Sequence, residues 1–179
     1  MKLNNDSTSE ILISSQEAFA DAHPDYNADF MRMATDLSVE NVKKGGGPFG
    51  AVIVRDGKII ATGVNGVTRL NDPTAHAEVQ AIRAACNTLG DFSLKGCTVY
   101  SSCEPCPMCL SALYWAGVDR IYFGNTQQQA DSIGFSDQFI YEELARPRAQ
   151  RHLPCIHVPV THAADAFKLW EEDTDKIPY

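Results

Sequence analysis

Hydrophobic positions along the chain recur with two different periods, and the switches between them mark the elements. Over "YNADFMRMATDLSVENVKKGGG" the apolar residues Phe30, Met33, Ala34, Leu37 and Val42 fall at helical spacing until three glycines end the run. "PFGAVIVRDGKIIATGVN" holds two short β-rich runs joined by Asp56-Gly57, a strong hairpin signal. "DPTAHAEVQAIRAACNTLG" predicts a helix that begins through Asp72-Pro73-Thr74 and closes at Gly90. Next come a buried strand, "CTVYSSC", a helix from Pro107 to about Gly117, "PMCLSALYWAG", and a further strand, "DRIYFGN".

The tail is less legible. "QQQADSIG" and "FIYEELA" read as helical and "CIHVPVT" as a short strand. "AADAFKLWEEDTDK" reads as an amphipathic helix with Ala166, Phe167 and Trp170 on its buried side. Residues 1–24 are polar and aperiodic, a loose extension with at most a marginal helical turn around Ser15 to Ala20. Strands alternating with helices after an opening hairpin predict an α/β layered fold with a mixed sheet. There is no internal repeat or low-complexity linker, so 25–179 is expected to be one domain.

Composition narrows the partners. A chain of 179 residues with 44% hydrophobic and 21% charged content has room for one core. A net charge of −8 argues against gripping nucleic acid through phosphates and favours a small substrate. No run approaches the ~18 apolar residues of a membrane span. The patch Ile11 to Ile13 is far shorter than the roughly 7–15 residues of a secretory signal core. The expected location is the cytoplasm, where cysteines falling at every third residue (Cys103, Cys106, Cys109) point to metal rather than disulfides.

Two short segments then carry the chemistry. Cys106 and Cys109, three apart at a helix start, share one side of its first turn, as two thiolates on one tetrahedral zinc require. His76 is the natural third ligand, and one His with two Cys leaves the fourth position open, the mark of a catalytic rather than a structural zinc. Glu78, two residues on, is a carboxylate suited to moving the proton of an activated water without binding the metal. His-x-Glu alone is most often surface charge, and Cys-x-x-Cys alone a structural knuckle or redox pair. In this order, as His76-Ala77-Glu78 and Pro105-Cys106-Pro107-Met108-Cys109, they match the signature of zinc nucleobase deaminases. Cys103 could by spacing replace Cys106, but it stands before Pro105 at a strand end and reads better as a buried thiol, as do Cys86, Cys97 and Cys155. His152, His157 and His162 have no metal spacing with a partner.

With "GGPFGAVIV", "IGFSDQFIYEE" and the final Tyr179 added to these motifs, the chain from about Tyr26 onward resembles the bacterial guanine deaminases of the cytidine deaminase-like fold. The resemblance implies a three-layer α-β-α fold with a mixed five-stranded sheet, and one Zn²⁺ per subunit on His76, Cys106 and Cys109. It implies Glu78 as proton shuttle, and Asn65 and the Ala77 backbone as contacts to the purine. It further implies that Asp137 reads the 2-amino and ring N–H edge of guanine and assists proton transfer. The reaction implied is hydrolysis of guanine at C2 to xanthine and ammonia.

Such proteins are homodimers that exchange their C-terminal segments, here about 155–179, and Tyr179 would close the neighbour's pocket. Ser136 departs from the family pattern, which often shows a second acid there. Phe49, Trp115 and Phe135 are candidates for an aromatic pocket wall, with core packing as the alternative for each. A guanosine deaminase would need space for ribose where Tyr179 should close. A tRNA adenosine deaminase would need a basic surface, whereas "LWEEDTDKIPY" is acidic. A zinc-stabilised interaction module would have no use for Glu78.

Overall fold

The computed structural model describes residues 18–178. Asn27 starts α1 (Ala28–Lys43) by accepting the Asp29 N–H at 2.8 Å, with Asp29 in the first turn and Lys43 in the last, each at the end the helix dipole favours. The predicted stripe faces the sheet at Phe30, Ala34 and Leu37, but its continuation is Asn41, 3% exposed, and not Val42, which is half exposed. Four-residue spacing from Leu37 decides that: Asn41 is the position on the same face.

β1 (Gly50–Arg55) and β2 (Lys58–Val64) form the expected antiparallel hairpin, with Asp56 and Gly57 both at positive φ, as a type I′ turn requires. A one-turn helix, α2 (Val67–Leu70), leads to α3 (Ala77–Leu89). This helix starts later than its sequence suggests, because Asp72 spends its carboxylate on the Thr74 N–H and hydroxyl, at 2.8 and 2.7 Å, forming a turn. β3 (Cys97–Cys103) pairs antiparallel with β1, and α4 (Pro107–Ala116) crosses over to β4 (Arg120–Asn125), which runs parallel to β3.

The sheet order is β2-β1-β3-β4, four strands among the described residues where five were expected. The strand expected at 155–161 does not form: 155–160 is irregular chain without a ladder partner and Thr161 begins a 3₁₀ turn, and among the described residues no strand pairs with the outer edge of β4.

Strand alternation builds two cores. Ala51, Ile53, Cys97 and Val99 point to one face and pack with Ala77, Ala81 and Ala85 of α3 and Leu113 and Ala116 of α4. Val52, Val54, Tyr100 and Tyr122 point to the other and pack under α1. Each fully buried Val, Ile or Leu contributes about 1.5–3 kcal/mol. Gly63 sets the closest approach: a Cβ there would lie 2.1 Å from the Ala77 carbonyl oxygen, so α3 rests directly on the hairpin backbone. That contact fixes the start of α3 against the sheet.

The remaining elements are α5 (Gln127–Ser132), α6 (Gln138–Ala145), two 3₁₀ turns (Arg148–Gln150 and Thr161–Ala164) and α7 (Asp165–Glu172). α7 is amphipathic as expected, but its apolar side is not buried: Phe167 and Trp170 are exposed. At the other end, residues 18–22 form a helical turn, while 15–17 of the turn expected there lie outside the described residues. This end of the extension is packed rather than loose: Phe19 and Tyr26 stack edge-on against Tyr122 of β4, and Asp25 pairs with Arg120. Among the described residues no helix is long and apolar enough to cross a membrane.

Candidate active site

Two helix starts meet over the sheet. His76 is the residue before α3 and Cys106 the residue before α4, and neither side chain caps its own helix. Both are therefore free to turn toward each other. His76 Nδ1 lies 3.5 Å from Cys106 Sγ and 3.5 Å from Cys109 Sγ, and the three donor atoms fall within 4.8 Å of one another. With zinc–sulfur bonds near 2.3 Å and zinc–nitrogen bonds near 2.0–2.1 Å at tetrahedral angles, the N···S edges come to about 3.5 Å. The residues present fit zinc. Cys103 takes no part: its thiol points to the Thr126 carbonyl, 3.8 Å away, and burial pushes it up to about 11, so it stays neutral.

Electrostatics agree with the geometry. The Cys109 thiol donating toward it, together with His76, holds Cys106 down at about 4. The same contact with Cys106, and then burial, pushes Cys109 well above the usual thiol range. The Cys106 contact also raises His76. Two adjacent sulfurs, one half-buried and one buried, that by themselves share a single negative charge beside an imidazole drawn toward a proton suit a divalent cation that displaces those protons and ionises both thiols.

Glu78 is the second residue of α3, 6% exposed, and its Oε1 accepts a hydrogen bond from the Ser101 hydroxyl of β3 at 3.0 Å. Burial raises its carboxyl above the ordinary range, an effect that Ser101 partly offsets. A carboxyl whose burial favours its protonated form is suited to take and return a proton.

A cavity of about 570 Å³ opens over this group, and His76, Glu78 and Cys106 form its floor. Asn65, Phe49, Phe135 and Asp137 line its walls, so four residues separated along the chain are brought to one cavity. Phe49 and Phe135 meet edge to face with ring centres 4.8 Å apart. Asn65 is 7% exposed, and its Oδ1 accepts the Val67 N–H at 3.3 Å. Ala77 is fully buried at the start of α3, where the first N–H groups have no acceptor within the helix.

Trp115 is not brought to the cavity. It is 75% exposed on the outer side of α4, in a shallow depression with Ile82 and Phe92. In α4 the residues Cys109, Leu113 and Ala116 take the inward face, which turns Trp115 outward. Tyr179 lies outside the described residues. Of the cysteines read as buried, Cys97 and Cys103 are buried, whereas Cys86 is half-buried and Cys155 exposed.

Sequence reasoning passed over Gln127, whose Nε2 donates to Asp137 Oδ1 at 2.7 Å while its backbone N–H donates to Glu104 Oε2 at 2.9 Å. Within "TQQQAD" nothing distinguishes the first glutamine from its neighbours. Ser101 was missed for a similar reason: a serine in a buried strand signals only that its hydroxyl must find a partner.

Residues 25–125 match the family described as the cytidine and deoxycytidylate deaminase zinc-binding region. The chain belongs to this family of zinc deaminases. Within it, the chain is 48% identical over 151 residues to the guanine deaminase of Bacillus subtilis, spanning 84% of this chain and 97% of that one. The X-ray structure of the Bacillus subtilis guanine deaminase superposes with a TM-score of 0.83 at 47% identity, covering 86% of this chain and 99% of that one. A tRNA-specific adenosine deaminase of Agrobacterium fabrum is also 48% identical, over 119 residues, or 66% of this chain and 75% of its own.

Proposed function

We propose that the protein is a guanine deaminase, hydrolysing guanine to xanthine and ammonia with one zinc ion per subunit. The observation that carries the reading is the pairing of the His76–Cys106–Cys109 cluster with a buried, protonatable Glu78 under one cavity. Similarity to the Bacillus subtilis guanine deaminase over nearly its whole length supports the substrate. Zinc, when bound, supplies the Lewis acidity that lets water act as a nucleophile near neutral pH. Glu78 would take one proton from the attacking water and give it to a ring nitrogen as the C–O bond forms at C2, then take the proton of the new C2 hydroxyl and give it to the amine, which leaves as ammonia while the carbonyl forms; Ser101 holds its carboxyl in place. Asn65 and the Ala77 N–H orient the purine, Phe49 and Phe135 wall it, and Asp137, held by Gln127, reads its 2-amino and N–H edge.

The deaminase unit occupies 25–179, and 1–24 is an extension to it. The protein acts as a homodimer whose segments 155–179 exchange. Among the described residues, support comes from the outer edge of β4, which pairs with no strand, and from the exposed apolar residues Ile156, Val158 and Val160 of an irregular segment and Phe167 of α7. Tyr179 closes the partner's cavity. Its place of action is the cytoplasm, where the cysteine ligands stay reduced.

The test is ammonia release from guanine and from guanosine by the zinc-loaded protein, each followed with the change in purine absorbance. Release from guanine only is expected. Release from guanosine would mean that the cavity accommodates a ribose and that the tail does not close it. Glu78→Gln should lower kcat about 10²–10⁴-fold with zinc retained. An unchanged rate would reduce the metal to a structural role.

A further inference from the structure

The last turn of α1 inserts a single amide between the two loops that form the cavity rim. Asn41 is 3% exposed, and its Nδ2 donates both to the Gly47 carbonyl and to the Asn65 carbonyl, each at 2.8 Å. Two carbonyl acceptors dictate which way this amide points. The Asn41 carbonyl in turn accepts the Gly46 N–H at 2.8 Å, so the residue holds the glycine loop from both ends of its own structure. Gly46 is matched to it: a Cβ there would lie 2.4 Å from Asn41 Nδ2 and 2.6 Å from its Cγ. Gly47 and Asn65 both line the cavity, and Asn41 does not.

Asn65 is fixed by the same arrangement. Its backbone N–H donates to the Phe49 carbonyl at 3.1 Å, its carbonyl is held by Asn41, and its Oδ1 is taken by the Val67 N–H. Among the described residues its Nδ2 has no partner. We propose that Asn41 is a positioning residue for substrate recognition: it sets the Asn65 backbone, and through it aims the one free donor of Asn65 at the purine. This role depends on Asn65 meeting the purine, as proposed above. An apolar residue at 41 would continue the buried stripe of α1 but would leave the buried Asn65 carbonyl without its donor and the Gly47 carbonyl with the Phe49 N–H alone. That is why a polar side chain stands at a core position.

The test uses zinc-loaded protein and hypoxanthine, which lacks the 2-amino group and so cannot be deaminated at C2. Its Kd is measured by calorimetry in a double-mutant cycle of Asn41→Asp and Asn65→Ala, alongside KM and kcat for guanine. Asn41→Asp keeps the shape but replaces the shared donor with oxygen. It is expected to weaken hypoxanthine about tenfold and to raise KM more than it lowers kcat, with zinc content unchanged. In the Asn65→Ala background it should weaken binding no further. Equal weakening in both backgrounds, or none in the first, would overturn the role of Asn41. If Asn65→Ala itself leaves Kd unchanged, the reading of Asn65 is what fails, and the Asn41 role falls with it. Should Asn41→Asp not fold, Gly46→Ala, which presses on the same amide, is put through the same cycle with the same expected outcomes.

Discussion

The two halves of the cavity are built by opposite means. The metal and proton half rests on helix starts docked over the buried central strands β1 and β3, with Cys109, Leu113, Val99 and Ala77 fully enclosed. The other half, the cavity wall from Gln127 to Asp137 proposed to read the purine edge, stands on the short helices α5 and α6 and on loop, and its residues are half-buried or exposed. Beyond it, the tail from 153 to 178 leaves most of its large apolar side chains in solvent. The groups that would hold the metal and move the proton sit where packing is densest, whereas Gln127 and Asp137, proposed to read the purine edge, sit where the chain is less constrained by its own core. Changes in the first half should therefore abolish function outright, and changes in the second should grade it.

Removing the ion tests the first half most severely. Several kcal/mol of charge stabilisation go with it, so chelation should cost at least about 10³-fold in kcat, restored by adding zinc back. Metal content and turnover measured together check this, and Cys109→Ala should behave like the chelated protein without rescue. Activity surviving in metal-free protein would break the contrast at its root.

Leu113→Ala removes a fully enclosed side chain beneath α4 and should destabilise the protein by about 2–5 kcal/mol in urea unfolding. A loss under 1 kcal/mol would mean that the helix carrying Cys109 is less firmly seated than its burial implies.

In the second half, Asp137→Asn should lower kcat/KM for guanine by about 10–10²-fold, and Gln127→Ala by a smaller factor expressed mainly in KM, with zinc retained in both. If Gln127→Ala were as damaging as Asp137→Asn, the glutamine would be touching the substrate itself. Deleting 155–179 sharpens the comparison further. Light scattering should then report monomers that keep zinc, and turnover should fall. A dimer surviving the deletion would assign the contact to another face. Trp115→Ala should change kcat/KM less than twofold, because its indole lies outside the cavity.

Much of this was legible in the residues. The hairpin was readable because only a few dipeptides tolerate two consecutive positive φ angles, and Asp56-Gly57 is one of them. His76, Glu78, Cys106 and Cys109 were readable because metal and proton chemistry restrict residue type and spacing within one helical turn. Asn41 left a fainter trace: it falls four residues after Leu37, on the buried face, and a polar residue at a core position asks for partners that only the fold can name.

What the sequence determined by itself is therefore local: turns, helix starts and ligand spacings, each set by torsional sterics and hydrogen bonding within a few residues. Tertiary structure alone decided the rest. It rotated Trp115 outward because three neighbours on α4 claimed the inward face, and it joined Gln127 to Asp137 across ten residues of chain. It also left 155–161 without a ladder, since a strand is stable only when another backbone supplies its hydrogen bonds, and β-propensity cannot say whether one is there.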